Sequence, residues 1–306
     1  PDQVTNLSAI VKTYDVRGVV PDELNTEVAE ALGAAFADLV AADPKSPHGE
    51  GTESDRQVVV IGHDMRPSSP ELVAAFGEGV RARGVDVIQI GLCSTDGLYH
   101  ASGVLNAPGA MFTASHNPAQ YNGMKLCRDG ARPISMETGL AELRERAEAY
   151  LTQSIPTALE PGTVTDRSML AAYADFLRGL VDLSGIRPLR VAVDAGNGMA
   201  GLTAPAVLGD EAGLSPLPIT LIPLYFELDG TFPNHEANPL EPENLVDLQA
   251  AVVRNQADMG LAFDGDADRC FVVDETGAPV NPSAITALVG LREIERERAA
   301  GNKATI

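Results

Sequence analysis

The sequence predicts an α/β protein built of consecutive domains, each with a mixed sheet flanked by helices. Short β-branched runs alternate along the chain with segments of helical spacing, which is typical of sheets covered by helices. The runs stop at glycine or at turn residues, as buried strands do. The chain has 306 residues, which is too long for one ordinary hydrophobic core.

In the first half of the chain, periodicity and capping residues define the predicted elements. Val28, Leu32 and Phe36 share one stripe of a helix. Ser68 is a candidate helix cap, with Pro70 in the first turn that follows. The predicted elements are helices at 23–42, from 68 onward and at 135–150, and strands at 58–61, 85–90, 109–113 and 124–127.

A break in periodicity at residues 155–163 holds Pro156 and Pro161 and predicts a linker. The elements predicted beyond it are helices at 168–180, 243–255 and 282–300, strands at 189–193, 258–263 and 270–274, and a hairpin turn at 274–277. We expect domains at 1–158 and 159–276, and an incomplete third domain at 277–306. Residues 303–306 resemble a strand that is cut off, so we expect a truncated chain.

Composition excludes several classes of partner. The net charge of −21 repels nucleic acid and anionic membranes, so any phosphate site must be a local cationic pocket. Cys93, Cys127 and Cys270 form no CxxC pair and are expected to be buried thiols in a reducing cytoplasm. No leader and no run of about 18 apolar residues occurs, so we expect neither export nor a membrane span. Composition does not determine the oligomeric state.

An acidic segment at residues 264–269 predicts a metal site. Asp264, Asp266 and Asp268 occupy alternate positions, and small spacers let the backbone curl around an ion. Carboxylates this close repel each other unless a cation lies among them, and oxygen-only ligation favours Mg²⁺ or Mn²⁺. The alternative is a solvated acidic turn. An EF-hand is excluded because Arg269 stands where glycine is required and the flanking segments are predicted strands.

A second segment offers a hydroxyl that can carry a phosphoryl group. Ser115 follows the predicted strand at 109–113, and Pro118 forces Asn117 out of helical geometry, so the loop is a fixed protrusion. Amides on such a loop can bind phosphate oxygens. His116 either transfers a proton or only holds the loop by a hydrogen bond.

Three cations are candidates to neutralise phosphate in an otherwise acidic chain. Arg17 and Arg269 can pair with phosphate oxygens. Lys125 can move a proton if neighbouring cations or a metal lower its pKa. The alternative for each is a solvated side chain, which the residues alone favour for Lys125.

One further segment matches a dinucleotide-binding motif without the context that the motif requires. Residues 196–201 match G-x-G-x-x-G and follow a predicted strand, which is compatible with a dinucleotide site. The acidic residue expected about 20 positions later is missing, because the nearest later acid is Glu227. We interpret the glycines as a tight strand-to-helix turn.

Taken together, these motifs resemble the α-D-phosphohexomutases, and most of all their bacterial phosphomannomutase/phosphoglucomutase branch. The resemblance spans nearly the whole chain. Its two most specific segments are residues 113–118, called the serine loop below, and residues 264–269, called the acidic loop. The segments that carry it are 12–18, 62–69, 113–125, 193–198, 229–239 and 264–269. The segment Tyr-Asp-Val-Arg-Gly at 14–18 argues against the phosphoglucosamine branch.

The resemblance implies roles for these residues. Ser115 would be phosphorylated in the resting enzyme. Asp264, Asp266 and Asp268 would bind one Mg²⁺ ion, completed by an oxygen of phospho-Ser115. Four residues would surround the transferring phosphoryl group, namely Arg17, His116, Lys125 and Arg269. Of these, His116 and Lys125 would be the general acid and base. The site would lie in a cleft between domains, and a hexose 1,6-bisphosphate would be the intermediate of a mannose (and glucose) phosphate mutase.

Two family features are absent from the 306 residues. These are a Gly-Glu-x-Ser-Gly-His sugar-recognition loop and an Arg- and Ser-rich phosphate-binding loop, which the resemblance places after Ile306. We therefore expect the chain alone to be nearly inactive as a mutase. A glucose or glucosamine preference and an inactive fragment stay open as alternatives, as do the roles of His235 and Asn238.

Overall fold

The computed structural model describes residues 6–43, 56–183 and 185–304, which form two sheets with flanking helices. The strands are β1 Val16–Val19, β2 Val58–His63, β3 Asp86–Leu92, β4 Gly109–Phe112, β5 Tyr121–Arg128, β6 Arg132–Pro133, β7 Val164–Asp166, β8 Leu189–Asp194, β9 Ile219–Leu224, β10 Met259–Phe263 and β11 Cys270–Val273. The helices are α1 Thr26–Ala41, α2 Ser69–Ala82, α3 Thr95–Leu105, α4 Ala141–Thr152, α5 Leu170–Leu180, α6 Ala200–Leu208, α7 Val246–Asn255 and α8 Pro282–Ala299.

The larger sheet has the order β1-β5-β4-β2-β3-β7, with β6 paired to β5. Strands β4, β2, β3 and β7 run parallel, whereas β5 is antiparallel to both of its neighbours β1 and β4. The smaller sheet has the order β11-β10-β8-β9, parallel except for β11. Both sheets are therefore mixed, which confirms the predicted fold class.

The largest hydrophobic core lies between the larger sheet and helices α1, α2 and α4. The ring of Phe76 lies 6.0 Å from Phe36 and 5.3 Å from Phe112, measured between centroids. Phe112 is the last residue of β4, so core packing fixes the position at which the following loop begins.

Most of the predicted helices and strands are present, but their first or last residues differ from the prediction. Helix α1 begins at Thr26, because the side chain of Asn25 accepts from the amide of Val28 and caps it. Ser68 does occupy the cap position of α2, but its hydroxyl accepts from Asn122 in place of a helix amide. The predicted helix at 135–150 begins instead with a π-helical turn at Met136–Leu140.

Five elements were not predicted, namely β1, α3, β6, β7 and β9, and α6 was implied only as the helix that follows the turn at 196–201. Helix α3 contains Gly97 and Gly103, and α6 contains Pro205, residues that sequence rules treat as helix breakers. Strand β7 directly follows the predicted linker and pairs with β3 in the larger sheet. The domain division at 158/159 stays a prediction.

Cys93 and Cys127 are buried, but the prediction that all three thiols are buried is wrong for Cys270. Cys270 opens the edge strand β11 and is exposed. Within the described part of the chain, no helix combines the length and apolar character needed to cross a membrane. Of residues 303–306, the last two lie outside the described residues, and Lys303 and Ala304 form no strand.

Candidate active site

The candidate site lies where the carboxyl ends of parallel strands from both sheets meet. Strand β4 leads into Ser115, and β10 leads into Asp264. Ligand sites of open α/β sheets lie at this edge of the strands. The Oγ of Ser115 donates to Oδ2 of Asp264 at 2.8 Å, so two segments 149 residues apart are in contact.

A buried guanidinium fixes the backbone of the serine loop. Arg66 lies just after β2 and is 1% exposed. Its two terminal nitrogens donate to four carbonyl oxygens at 2.7–3.0 Å. The acceptors are the carbonyl groups of Ser115, Asn117, Pro118 and Tyr121. The loop therefore has a scaffold independent of the side chain of Ser115, whose backbone is held at a φ of +52°.

The surroundings of Arg66 keep this cation in place. Its Nε donates to Asp64 at 3.2 Å, and the ring of Phe232 lies 5.3 Å from the guanidinium carbon. Burial lowers the pKa of Arg66, and the charge of Asp64 opposes that shift. Arg66 lies within the segment 62–69 that carries the family resemblance, but the resemblance implied no role for it. No motif signals a side chain whose partners are backbone carbonyls.

The acidic loop places three carboxylates together. One oxygen from each of Asp264, Asp266 and Asp268 lies within 4.8 Å of the others. Asp264 and Asp266 are fully buried, and the side chain of Asp268 is 29% exposed. The loop closes on itself, because the amide of Ala267 donates to the carbonyl of Asp264 at 3.0 Å.

These residues fit a hard divalent cation. The Oδ1 of Asp266 is buried and has no hydrogen-bond partner, which leaves one carboxylate oxygen free for a ligand bond. Burial, followed by the charges of Asp266 and Asp268, raises the pKa of Asp264 to about 7. A cation among the three groups would relieve this repulsion, and an all-oxygen donor set suits Mg²⁺.

Lys125 contacts two carboxylates of the acidic loop. Its Nζ lies 2.6 Å from Oδ2 of Asp266 and 2.6 Å from Oδ2 of Asp268. Burial lowers the pKa of Lys125, but the charges and hydrogen bonds of the two carboxylates outweigh burial and raise it overall. The condition set for a proton shuttle, a lowered pKa, is therefore not met in this arrangement.

Arg269 joins the two loops. Its Nη2 donates to Ser115 Oγ at 2.8 Å and to Asp264 Oδ2 at 2.6 Å. The same nitrogen donates to Nδ1 of His116. Burial, assisted by the charges of Arg269 and Arg17, lowers the pKa of His116 and favours the neutral imidazole.

Arg17 lies at the other end of the serine loop. It donates to the side chains of Asn117 and Asp15, each at 2.6 Å. Its Nε is buried and has no hydrogen-bond partner. All eight residues singled out in the sequence thus belong to one group of contacts around Ser115 and the acidic loop.

Two glycine positions let the loops approach each other. A Cβ at Gly265 would lie 2.3 Å from the carbonyl oxygen of Ser115, so only glycine fits there. The turn at Gly196 (φ +52°) leads from β8 into α6, as interpreted from the sequence. The amide of Met199, just after that turn, donates to the carbonyl of Gly265 at 2.9 Å, so the turn supports the acidic loop.

His235 and Asn238 make contacts within the second half of the chain. The Nε2 of His235 lies 3.0 Å from Oδ2 of Asp194, and Oδ1 of Asn238 accepts from the amide of Leu240 at 3.3 Å.

Comparison with known proteins identifies the family. Residues 8–153 match the family model for phosphoglucomutase/phosphomannomutase, alpha/beta/alpha domain I, and residues 171–277 match the model for domain II. The chain belongs to the phosphoglucomutase/phosphomannomutase family. This membership confirms the resemblance found in the sequence.

Relatives within this family are similar over most of the chain. The phosphohexose mutases of Xanthomonas campestris pv. campestris are 44% identical over 269 residues, covering 87% of this chain and 54% of the relative. The phosphomannomutase of Salmonella typhimurium is 39% identical, with 94% of this chain and 60% of the relative covered. This chain thus spans somewhat more than half the length of these relatives.

A solved structure of the same family is also similar to this chain. The crystal structure of a phosphoglucomutase/phosphomannomutase family protein from Burkholderia thailandensis has a TM-score of 0.80 and 33% sequence identity. The match covers 94% of this chain and 59% of that chain.

Proposed function

We propose that the protein acts as a phosphohexomutase, which interconverts mannose 6-phosphate and mannose 1-phosphate and also accepts glucose phosphates. One observation carries the proposal: the Ser115 hydroxyl lies between Arg269 and the buried carboxylate of Asp264, at 2.8 Å from each. A hydroxyl in contact with both a cation and a metal-binding carboxylate is placed for phosphoryl transfer.

The reaction consists of two transfers through Ser115. Phospho-Ser115 donates its phosphoryl group to the free hydroxyl of the sugar phosphate: the Oγ–P bond breaks and a sugar O–P bond forms. The product is a hexose 1,6-bisphosphate. After the sugar reorients, its other phosphoryl group returns to Ser115. In the first transfer the proton of the attacking sugar hydroxyl passes to a general base, and the released Ser115 Oγ takes up a proton, the form in which it donates to Asp264. In the second transfer Ser115 Oγ gives up this proton as it attacks, and the sugar oxygen that leaves is protonated.

Each charged residue has a part in this proposal. Arg269 and Arg17 neutralise charge on the transferring group. His116, with its lowered pKa, accepts the proton. Lys125, kept charged by its carboxylate partners, acts as an electrostatic stabiliser of the transferring group. Asp264, Asp266 and Asp268 would hold Mg²⁺, which supplies charge stabilisation to the phosphoryl oxygens when bound.

The mannose assignment is supported by the relative from Salmonella typhimurium, which is named a phosphomannomutase. A preference for glucose or glucosamine phosphates is separated from it by assaying each sugar phosphate. The three free thiols agree with the reducing cytoplasm that we propose as the location.

Phosphoryl uptake by Ser115 tests the proposal. The purified chain is incubated with Mg²⁺ and glucose 1,6-bisphosphate, and intact mass spectrometry with peptide mapping locates the phosphate. We expect one phosphate on Ser115, none in Ser115→Ala, and normal uptake in the exposed control Ser154→Ala. Lack of phosphate on wild-type Ser115 would contradict the proposal and favour an inactive fragment.

A further inference from the structure

The N-terminus of α3 contacts the acidic loop through Thr95, a residue to which neither the motifs nor the resemblance assigned a role. The Thr95 hydroxyl donates to Oδ2 of Asp266 at 2.6 Å, and its amide donates to the carbonyl of the same residue at 3.1 Å. Thr95 is 1% exposed, and the side chain of Ser94 caps the helix at this point by accepting from Gly97.

The two oxygens of Asp266 have opposite surroundings. Oδ2 accepts from both Thr95 Oγ1 and Lys125 Nζ, each at 2.6 Å. Oδ1 is buried and has no hydrogen-bond partner. A buried carboxylate oxygen without a partner is costly, so this asymmetry needs an explanation.

We propose that Thr95 is a positioning residue that holds Oδ2 of Asp266 and thereby turns Oδ1 toward the metal. The inference rests on the proposed function, since it concerns the same metal site. Lys125 alone cannot fix the carboxylate, because its ammonium is shared with Asp268 at the same distance of 2.6 Å. Thr95 belongs to a buried helix terminus, which is a more rigid support than a long side chain. A residue that hydrogen-bonds to a metal-coordinating side chain, without touching the ion, changes metal affinity because it orients that side chain.

Metal affinity tests this role. Wild type, Thr95→Val and Thr95→Ser are titrated with Mg²⁺ by calorimetry, without substrate. Valine keeps the shape and removes the hydroxyl, so we expect its Kd to rise about 10- to 100-fold. Serine keeps the hydroxyl and restores the wild-type Kd. The matched control is Thr203→Val, because the Thr203 hydroxyl only donates to the carbonyl of Met199 in its own helical turn.

An unchanged Kd in Thr95→Val overturns the inference. If that variant does not fold, a crystal structure of the wild-type Mg²⁺ complex decides: Oδ1 of Asp266 on the metal with Oδ2 still on Thr95 supports the role, and Oδ2 on the metal overturns it. Failure here is distinguishable from failure of the proposed function. An unchanged Kd together with normal phosphoryl uptake by Ser115 overturns only the role of Thr95.

Discussion

The serine loop and the acidic loop meet at one site, but they are held in different ways. The backbone of the serine loop is fixed by Arg66, a cation of the same sheet, whose guanidinium binds four carbonyl groups. The acidic loop concentrates negative charge, and many of its side-chain partners come from the first half of the chain. Those partners are Thr95, Ser115 and Lys125.

The two loops also differ in whether the buried polar groups that belong to or support them all have partners. The cation that supports the serine loop has a partner of opposite charge, since Arg66 pairs with Asp64. The acidic loop keeps one buried oxygen of Asp266 without a partner, and the pKa of Asp264 is raised to about 7. One loop presents a hydroxyl, and the other has a buried carboxylate oxygen that a cation could bind.

The largest expected effect is that of Ser115→Ala, which leaves both loops in place and removes the group that joins them. We expect sustained mutase turnover to fall by several orders of magnitude, on the order of 10⁶ as for other lost nucleophiles. A coupled assay of sugar-phosphate conversion measures it. Rates near wild type would show that the phosphoryl carrier lies elsewhere.

Arg66→Met tests whether the serine loop depends on its buried cation. The change leaves Asp64 as an uncompensated buried charge and four carbonyls unpaired, so we expect a loss of about 3–5 kcal/mol in unfolding free energy. Urea denaturation measures it. Arg66→Lys should recover only part of the lost unfolding free energy, because an ammonium cannot bind four carbonyls.

The control Arg146→Met removes an exposed pair with Glu142 and should change stability by less than about 1 kcal/mol. Equal effects at both positions would refute the special role of Arg66.

Asp266→Asn tests whether the acidic loop needs a cation. Mg²⁺ at 100 times its Kd should stabilise the wild type by about 2.7 kcal/mol through preferential binding to the folded state. The variant should lose most of this gain, because an amide is a weaker ligand than a carboxylate. Thermal unfolding with and without Mg²⁺ measures the difference, and Asp175→Asn, at an exposed position of α5, serves as control. A full Mg²⁺ response in Asp266→Asn would count against the triad.

The smallest effect concerns His235, which lies outside both loops. Both ring nitrogens face acceptors, namely Asp194 and the carbonyl of Glu236, which fits the protonated ring. Burial lowers the pKa of His235, but the hydrogen bond and charge of Asp194, with a contribution from Asp247, raise it overall. A raised folded-state pKa gives stability that is present at low pH and is lost as pH rises through that pKa.

The unfolding free energy of the wild type relative to His235→Gln should therefore fall as the pH rises above about 6.5, the ordinary pKa of histidine. Urea midpoints at several pH values measure the trend. A difference that stays constant or grows across this range would show that the ring is neutral in the folded protein.

Much of the fold followed from the sequence, since β-branched runs and helical stripes gave the positions of most elements. The failures have physical causes. Helix α3 was missed because glycines lower helix propensity, yet its N-terminus carries Thr95 at the acidic loop. Cys270 was assigned to the interior, but β11 is an edge strand.

The sequence by itself determined which residues are candidates for the chemistry, because a serine before His-Asn-Pro and alternating aspartates have few other uses together. Only the tertiary structure decided how they are held. The partners of Arg66 are backbone carbonyls, and the direction of the Lys125 pKa shift depends on carboxylates 141 and 143 residues away. Such contacts leave no local pattern, since they arise only when the strand ends of two sheets come together.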